Sequence, residues 1–162
     1  VEREWWRWIV ETVLDKLPES QTANIERHAF FEVLFESYRK GTAWSLYPET
    51  QQVLSALRDR GMAMGVVSNF DSRLLNILAE LEIDHVFEAI IHSGAVGFRK
   101  PHPTIFSEAV RQLGAEKECC LHVGDDPVAD GRGARDAGLQ VFELDRQSTD
   151  LLGLLTTLDG EA

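Results

Sequence analysis

Over the first 45 residues apolar positions keep a helical rhythm, and beyond residue 48 they gather into short unbroken runs between amphipathic stretches. Trp5, Trp8, Ile9, Thr12, Val13 and Leu17 follow roughly helical spacing, and Phe30, Phe31, Val33, Leu34, Phe35 and Tyr38 form a second band. Pro18 to Asn24 separates the two bands, and Gly41 closes the second. From Pro48 the rhythm changes. A helix over Glu49 to Arg60 ends at Gly61, and the run Met62 to Val67 predicts a buried strand. A helix over Ser72 to Leu81 follows, with Asp71 placed to cap it. Phe87 to His92 predicts a strand, Gly94 and Gly97 a turn, and Thr104 to Leu113 a helix bounded by Pro103 and Gly114. Cys120 to Val123 and Leu139 to Leu144 predict two more strands, with a helix between them ending near Ala137 and Gly138. Strands that are short apolar runs, alternating with helices, predict an α/β fold whose parallel sheet is covered on both faces. Beyond Asp145 the sequence reads as polar and weakly helical.

Composition narrows the function classes. A length of 162 residues suits one domain with at most a small appended subdomain, and 44% apolar with 27% charged content is ordinary for a globular chain. A net charge of −11, with basic residues scattered, excludes a nucleic-acid backbone as the expected partner. No apolar run approaches the roughly 18–20 residues of a membrane helix, so no membrane partner is expected. The cysteines, Cys119 and Cys120, are adjacent, where a disulfide is strained, and a reducing cytoplasm is the simplest setting. All four tryptophans (Trp5, Trp6, Trp8 and Trp44) lie in the helical part, where they are expected to form its packing core rather than a stacking platform.

Three segments carry the candidate chemistry. Ser68 and Asn69 follow one apolar run, Lys100 stands in the loop before the Thr104 helix, and Asp125 and Asp126 follow another run with Asp130 behind them. In open parallel sheets ligands bind outside the carboxyl ends of the strands, which is where these residues fall. A hydroxyl, with the amides opening the Ser72 helix, suits an anionic oxygen. An ammonium group screens a carboxylate from a phosphate, and carboxylates suit Mg²⁺, which keeps oxygen ligands and takes one or two from protein.

In this order and spacing, Val66 to Asp71, Arg99-Lys100-Pro101 and Val123 to Asp126 with Asp130 resemble motifs II, III and IV of the haloacid dehalogenase-like (HAD) superfamily. The resemblance runs from about Glu4 to about Leu144. The Trp5-Trp6 helix, the Trp44 to Pro48 junction and Ser68 to Leu74 are similar to members with a C1-type helical cap. The resemblance implies a Rossmannoid three-layer parallel sheet with a small all-helical cap. It implies a Mg²⁺-dependent phosphatase of a small phosphorylated metabolite, acting through an aspartyl-phosphate. Ser68 is similar to the motif II group that bonds the transferring phosphoryl oxygen, with Asn69 beside it at the phosphate. Lys100 resembles the lysine that neutralises nucleophile and phosphate. Asp125 looks like the Mg²⁺ ligand and Asp130 like the second acidic position, supporting the metal or Lys100. Asp126, where the family more often has Ser, is the weaker metal candidate.

The chain departs from the family pattern in two places. His102 follows Lys100-Pro101 where the family usually has Asp. No strand ending in Asp precedes Ser68, so motif I, the source of the nucleophile, is missing, and the chain reads as starting inside its cap at Val1. Thr157 to Glu161 is a superficial motif I that lacks a preceding strand, which argues against circular permutation. The expected layout is a partial helical cap over 1–46, a core over 47–146 lacking its first strand, and a polar tail over 147–162. The chain is expected to be a fragment, inactive alone. A dehalogenase of the same fold and a non-catalytic binding protein are the alternatives. Nothing in the sequence specifies substrate or oligomeric state.

Overall fold

The computed structural model describes residues 2–160. Val1 and Glu161, both used in the sequence reading, lie outside the described residues. The first part is helical: α1 (Glu2–Asp15), a single turn α2 (Glu19–Thr22) inside the expected break, and α3 (Arg27–Ser37). There follow α4 (Thr50–Asp59), β1 (Gly65–Ser68), α5 (Arg73–Glu80), β2 (Ala89–His92), a single turn α6 (Ser93–Val96) and α7 (Pro103–Leu113). The chain ends with β3 (Leu121–Gly124), a π-helical turn over Pro127–Arg132 that continues into α8 (Gly133–Asp136), β4 (Gln140–Glu143) and α9 (Leu152–Gly160). The region around Gly94, expected as an open turn, is α6, closed by Gly97 in the left-handed region at φ 78°. The tail expected to be polar contains α9, which packs against α4, buries Leu154 and pairs Asp159 with Arg60 at 2.8 Å. Asp159 is therefore helical, as the rejection of a second motif I requires.

All pairing is parallel, and it forms two separate ribbons. β1 pairs with β2 from Gly65 opposite Ala89 to Ser68 opposite His92. β3 pairs with β4 from Leu121 opposite Gln140 to Gly124 opposite Glu143. Among the described residues neither β1 nor β3 has a second strand partner. One apolar core nevertheless spans both ribbons: Ala89 and Ile91 of β2, Ile105, Phe106 and Ala109 of α7, and Ala134 and Ala137 beside β4, with Val67 and Val141 packed against them. Sheet burial is lopsided. β2 is almost wholly buried, whereas β1 and β3, apolar by sequence, stay half exposed along their lengths. Among the described residues all four strands have one bare edge, so the difference lies in cover: β2 packs under α7 and supplies Ala89 and Ile91 to the core.

The helical part is tied to the rest by one buried ion pair. Arg73 donates from Nε and Nη2 to the Asp71 carboxylate at 2.9 and 2.7 Å, and from Nη1 to the Phe35 carbonyl of α3 at 3.3 Å. Its guanidinium lies 4.0 Å from the Phe35 ring centroid, and Trp6 of α1 donates Nε1–H to Asp71 at 2.5 Å. Both charges are nearly sealed from solvent, so each needs the other. Trp6 is therefore a packing residue, as expected, but Trp5 and Trp8 remain 48% and 62% exposed. A pair of helices buries one seam, which α1 fills with Leu14 and with Arg3 and Arg7 paired to Glu32 of α3, leaving Trp5 and Trp8 outside it.

Burial alone would raise the Asp71 carboxyl, but hydrogen bonds and charge from Arg73, with Trp6, outweigh it and hold the group below its ordinary range. Asp71→Ala is expected to cost about 3 kcal/mol, because it strands a buried guanidinium, read as a lower urea midpoint by tryptophan fluorescence. A carboxyl depressed on folding stabilises above its unfolded pKa and loses that contribution as pH falls through the folded value. The gap between wild type and variant should therefore be full near neutrality and narrow below about pH 4.

Candidate functional site

The two ribbons are bridged at their carboxyl ends by a chain of hydrogen bonds, built from the residues the sequence singled out. Ser68 ends β1, half buried, with a hydroxyl that bonds to nothing among the described residues. Next to it, Asn69 grips the main chain of Lys100: its Oδ1 accepts from the Lys100 amide at 2.6 Å and its Nδ2 donates to the Lys100 carbonyl at 3.0 Å. The Lys100 side chain turns the other way and donates to Asp130 Oδ1 at 2.6 Å. The amide of Asp126 donates to the other oxygen of Asp130 at 3.2 Å, which closes the bridge at the end of β3.

The local sequence explains why the loop carrying Lys100 holds its place. His102 Nδ1 accepts from the Thr104 amide at 3.3 Å, capping α7 just beyond Pro101. His102 thus does the work of an N-cap Asp without the negative charge, while stacking on Phe98 at 4.2 Å. Gly133 lets α8 approach: a Cβ there would stand 2.8 Å from Pro101 Cα. Gly124 is tighter still, since a Cβ would fall 2.3 Å from Asp130 Cγ. The Val-Gly-Asp sequence therefore lets Asp130 fit beneath the end of β3.

The three carboxylates at this mouth have different circumstances. Asp126 caps the π-helical turn, its Oδ1 accepting from the Val128 and Ala129 amides, both at 2.8 Å. Asp130 is 4% exposed; burial alone would raise its carboxyl, but hydrogen bonds from His122 and Lys100, the Lys100 charge and the Asp126 amide drive it far below the ordinary range. Asp125 is exposed and makes no hydrogen bond or ion pair among the described residues. It is the carboxylate with lone pairs to offer a cation.

Three expectations meet this geometry, and two of them, for Asn69 and for the first amides of α5, are redistributed. Asn69, expected at the phosphate, spends both amide atoms on Lys100. Asp130, expected as a metal ligand or lysine partner, is fully engaged as the partner. The first amides of α5, expected for an anion, are taken by Asp71: Arg73 N bonds its carboxylate and Leu74 N its carbonyl, both at 3.0 Å. Ser68 and Asp125 keep polar groups unbonded among the described residues, and Lys100 gives its ammonium to Asp130. The sequence reading missed His122, whose Nε2 lies 2.8 Å from Asp130 Oδ1. Its position two residues before Gly124, on a strand otherwise apolar, was the available signal.

A hard divalent cation is testable against this donor set. No group of three His, Cys, Asp or Glu residues that could hold a metal exists among the described residues. One free carboxylate, Asp125, beside Asp126, fits an ion such as Mg²⁺ that retains water and takes further oxygens from a phosphate. It does not fit Zn²⁺, which needs three or four protein ligands.

Comparisons with known proteins identify the family. Residues 1–138 match the family model described as haloacid dehalogenase-like hydrolase. The chain is 32% identical over 142 residues to haloacid dehalogenase-like hydrolase domain-containing protein 3 of Mus musculus, covering 86% of this chain and 55% of that protein. It is 36% identical over 110 residues to a phosphoserine phosphatase of Thermus thermophilus, covering 67% of this chain and 44% of the relative. A solved HAD phosphatase from Thermococcus onnurineus superposes with a TM-score of 0.72 at 26% identity, covering 82% of this chain and 70% of that one. The chain thus spans about half the length of the curated relatives it matches.

The close approaches predict a contrast in stability. Gly124→Ala pushes a methyl into Asp130 and should cost about 1–3 kcal/mol. Asp125→Asn, exposed and unbonded, should shift stability by less than about 0.5 kcal/mol. Urea unfolding of the two variants side by side checks both.

Proposed function

The chain belongs to the haloacid dehalogenase-like hydrolases, and from that premise we propose that it carries the phosphate- and metal-facing part of a Mg²⁺-dependent phosphatase for a small phosphorylated metabolite. The observation that carries the reading is the hydrogen-bonded bridge from Asn69 through Lys100 to Asp130, with Ser68 and Asp125 left free on either side of it. Ser68 donates its hydroxyl to a phosphoryl oxygen, and the Lys100 ammonium, already charge-compensated by Asp130, faces phosphate and acceptor together. Asp125 holds the cation, with Asp126 beside it. Bound there, Mg²⁺ supplies charge neutralisation for a phosphoryl group in transfer.

The acceptor is proposed to come from outside these residues. Every element ahead of β1 among the described residues is helical, and β1 and β3 each present an unpaired edge. A parallel strand between them, ending in Asp, would pair both edges and bring a carboxylate between Ser68 and Asp125. On this reading the Asp oxygen bonds phosphorus as the ester P–O bond breaks, the substrate leaving as its alcohol with a proton drawn from solvent. Water then attacks phosphorus, and the bond to the Asp oxygen breaks to release inorganic phosphate and the free carboxylate. A cytoplasmic setting is part of the proposal, resting on two adjacent cysteines that are both free thiols. Separately, no helix among the described residues is long and apolar enough to cross a membrane. No nucleic acid is proposed as a partner.

The 162 residues alone should show no Mg²⁺-dependent hydrolysis of an aryl phosphate. The longer protein, carrying an upstream strand that ends in Asp, should turn it over, with Lys100→Ala and Asp125→Ala each costing roughly 10²-fold or more in kcat/KM. Turnover by the 162-residue chain that is abolished in Asp125→Ala overturns the external acceptor. A longer protein that binds phosphate with Mg²⁺ but never turns over favours a binding protein instead.

A further inference from the structure

His122 lies outside all three segments that carry the site chemistry, yet it touches the carboxylate on which Lys100 depends. Its Nε2 and the Lys100 Nζ share one atom, Asp130 Oδ1, at 2.8 and 2.6 Å. Side-chain exposures of 10% for His122, 6% for Asp130 and 13% for Lys100 leave this cluster nearly dry. A carboxylate oxygen only accepts here, so the shared geometry requires the proton on Nε2. The imidazole is itself fixed, edge-on against Phe106 at 5.1 Å, and Phe106 is fully buried in the core shared by both ribbons.

We propose that His122 is the positioning residue of Lys100, acting through Asp130. The Asp130 carboxylate turns about a soft terminal torsion, broad and two-fold for this side chain. The Asp126 amide, at 3.2 Å from Oδ2, is a weak restraint on that rotation. The His122 bond to Oδ1 supplies the second restraint and fixes which oxygen faces the lysine. Asn69 holds the main chain of Lys100 at the other end of the same side chain. A long flexible stem is thereby pinned at both ends, and the ammonium is held in one place before any ligand arrives. Preorganised charge is worth more than mobile charge, because nothing need reorient as the phosphoryl group moves. The catalytic consequence rests on the phosphatase reading; the restraint on Lys100 does not.

Two substitutions separate the hydrogen bond from the packing. His122→Phe keeps a ring against Phe106 and removes the donor, whereas His122→Gln keeps an N–H donor at similar reach and removes the ring. The readout is competitive acetylation of the 162-residue chain by acetic anhydride, quantified by mass spectrometry at Lys100 against the exposed Lys16, Lys40 and Lys117. Lys100 should be protected in the wild type. In His122→Phe its labelling should rise about tenfold relative to the other three, the scale of one charge-assisted hydrogen bond. His122→Gln should restore protection. Protection unchanged in a folded His122→Phe overturns the proposal, as does a parallel rise at all four lysines in both variants, which marks general loosening. Should His122→Phe not fold, unprotected Lys100 in a folded His122→Gln overturns it by itself. Absence of phosphatase activity in the longer protein would leave these labelling results standing, so the two failures are distinguishable.

Discussion

The carboxylate of Asp130 is the constraint around which the site is arranged. A charge that is 4% exposed must be met by donors on all sides, since the interior supplies no water to do it. Each donor comes from a different part of the chain: Lys100 from the loop after α6, His122 from β3, and the Asp126 amide from the turn after β3. Gly124 clears the space beneath the strand. One buried acid thus draws the Lys100 loop to the end of β3, and Asn69 draws the same loop to the end of β1. The ribbons share no strand hydrogen bond, yet their carboxyl ends are held together by this bridge and their flanks by the α7 and α8 core.

Charge partition follows from the same arrangement. Three carboxylates crowded at one strand end would repel one another unless compensated. Asp126 is met by the amides of the helical turn it caps, and Asp130 by a lysine and a histidine. Asp125 alone is left with open lone pairs. The outcome is a mouth offering one hydroxyl, one ammonium and one uncommitted carboxylate, a set that suits a phosphoryl group and a hard cation. Farther from the site, Asp71 and Arg73 solve a similar problem for the helical part, where a buried pair and the rings of Trp6 and Phe35 anchor α1 and α3 to the turn after β1.

Much of this was legible along the chain. Unbroken apolar runs found all four strands to within a few residues, because burial of a parallel strand writes itself into consecutive positions. Ser68, Lys100 and Asp125 were readable because each stands at a strand end or helix mouth, where local periodicity breaks. The helix over Leu152–Gly160 was underestimated, since its contact with α4 involves residues about a hundred positions away. The tryptophans were over-assigned to the core for a related reason: periodicity finds a helical face, but not whether a second helix covers it. Trp5 and Trp8 lie on the part of α1 that α3 leaves uncovered.

What the sequence by itself determined is the order of elements and the kind of chemistry at their ends, both consequences of local backbone preference and of which side chains follow an apolar run. Only the tertiary structure decided how the polar groups are shared. Asn69 and Lys100 are 31 residues apart, and Lys100 and Asp130 are 30 apart. No local pattern says that an amide will clasp a distant main chain, or that a strand histidine will brace a carboxylate. Those assignments follow from burial, which forces every donor and acceptor to find a partner among whatever the fold brings near.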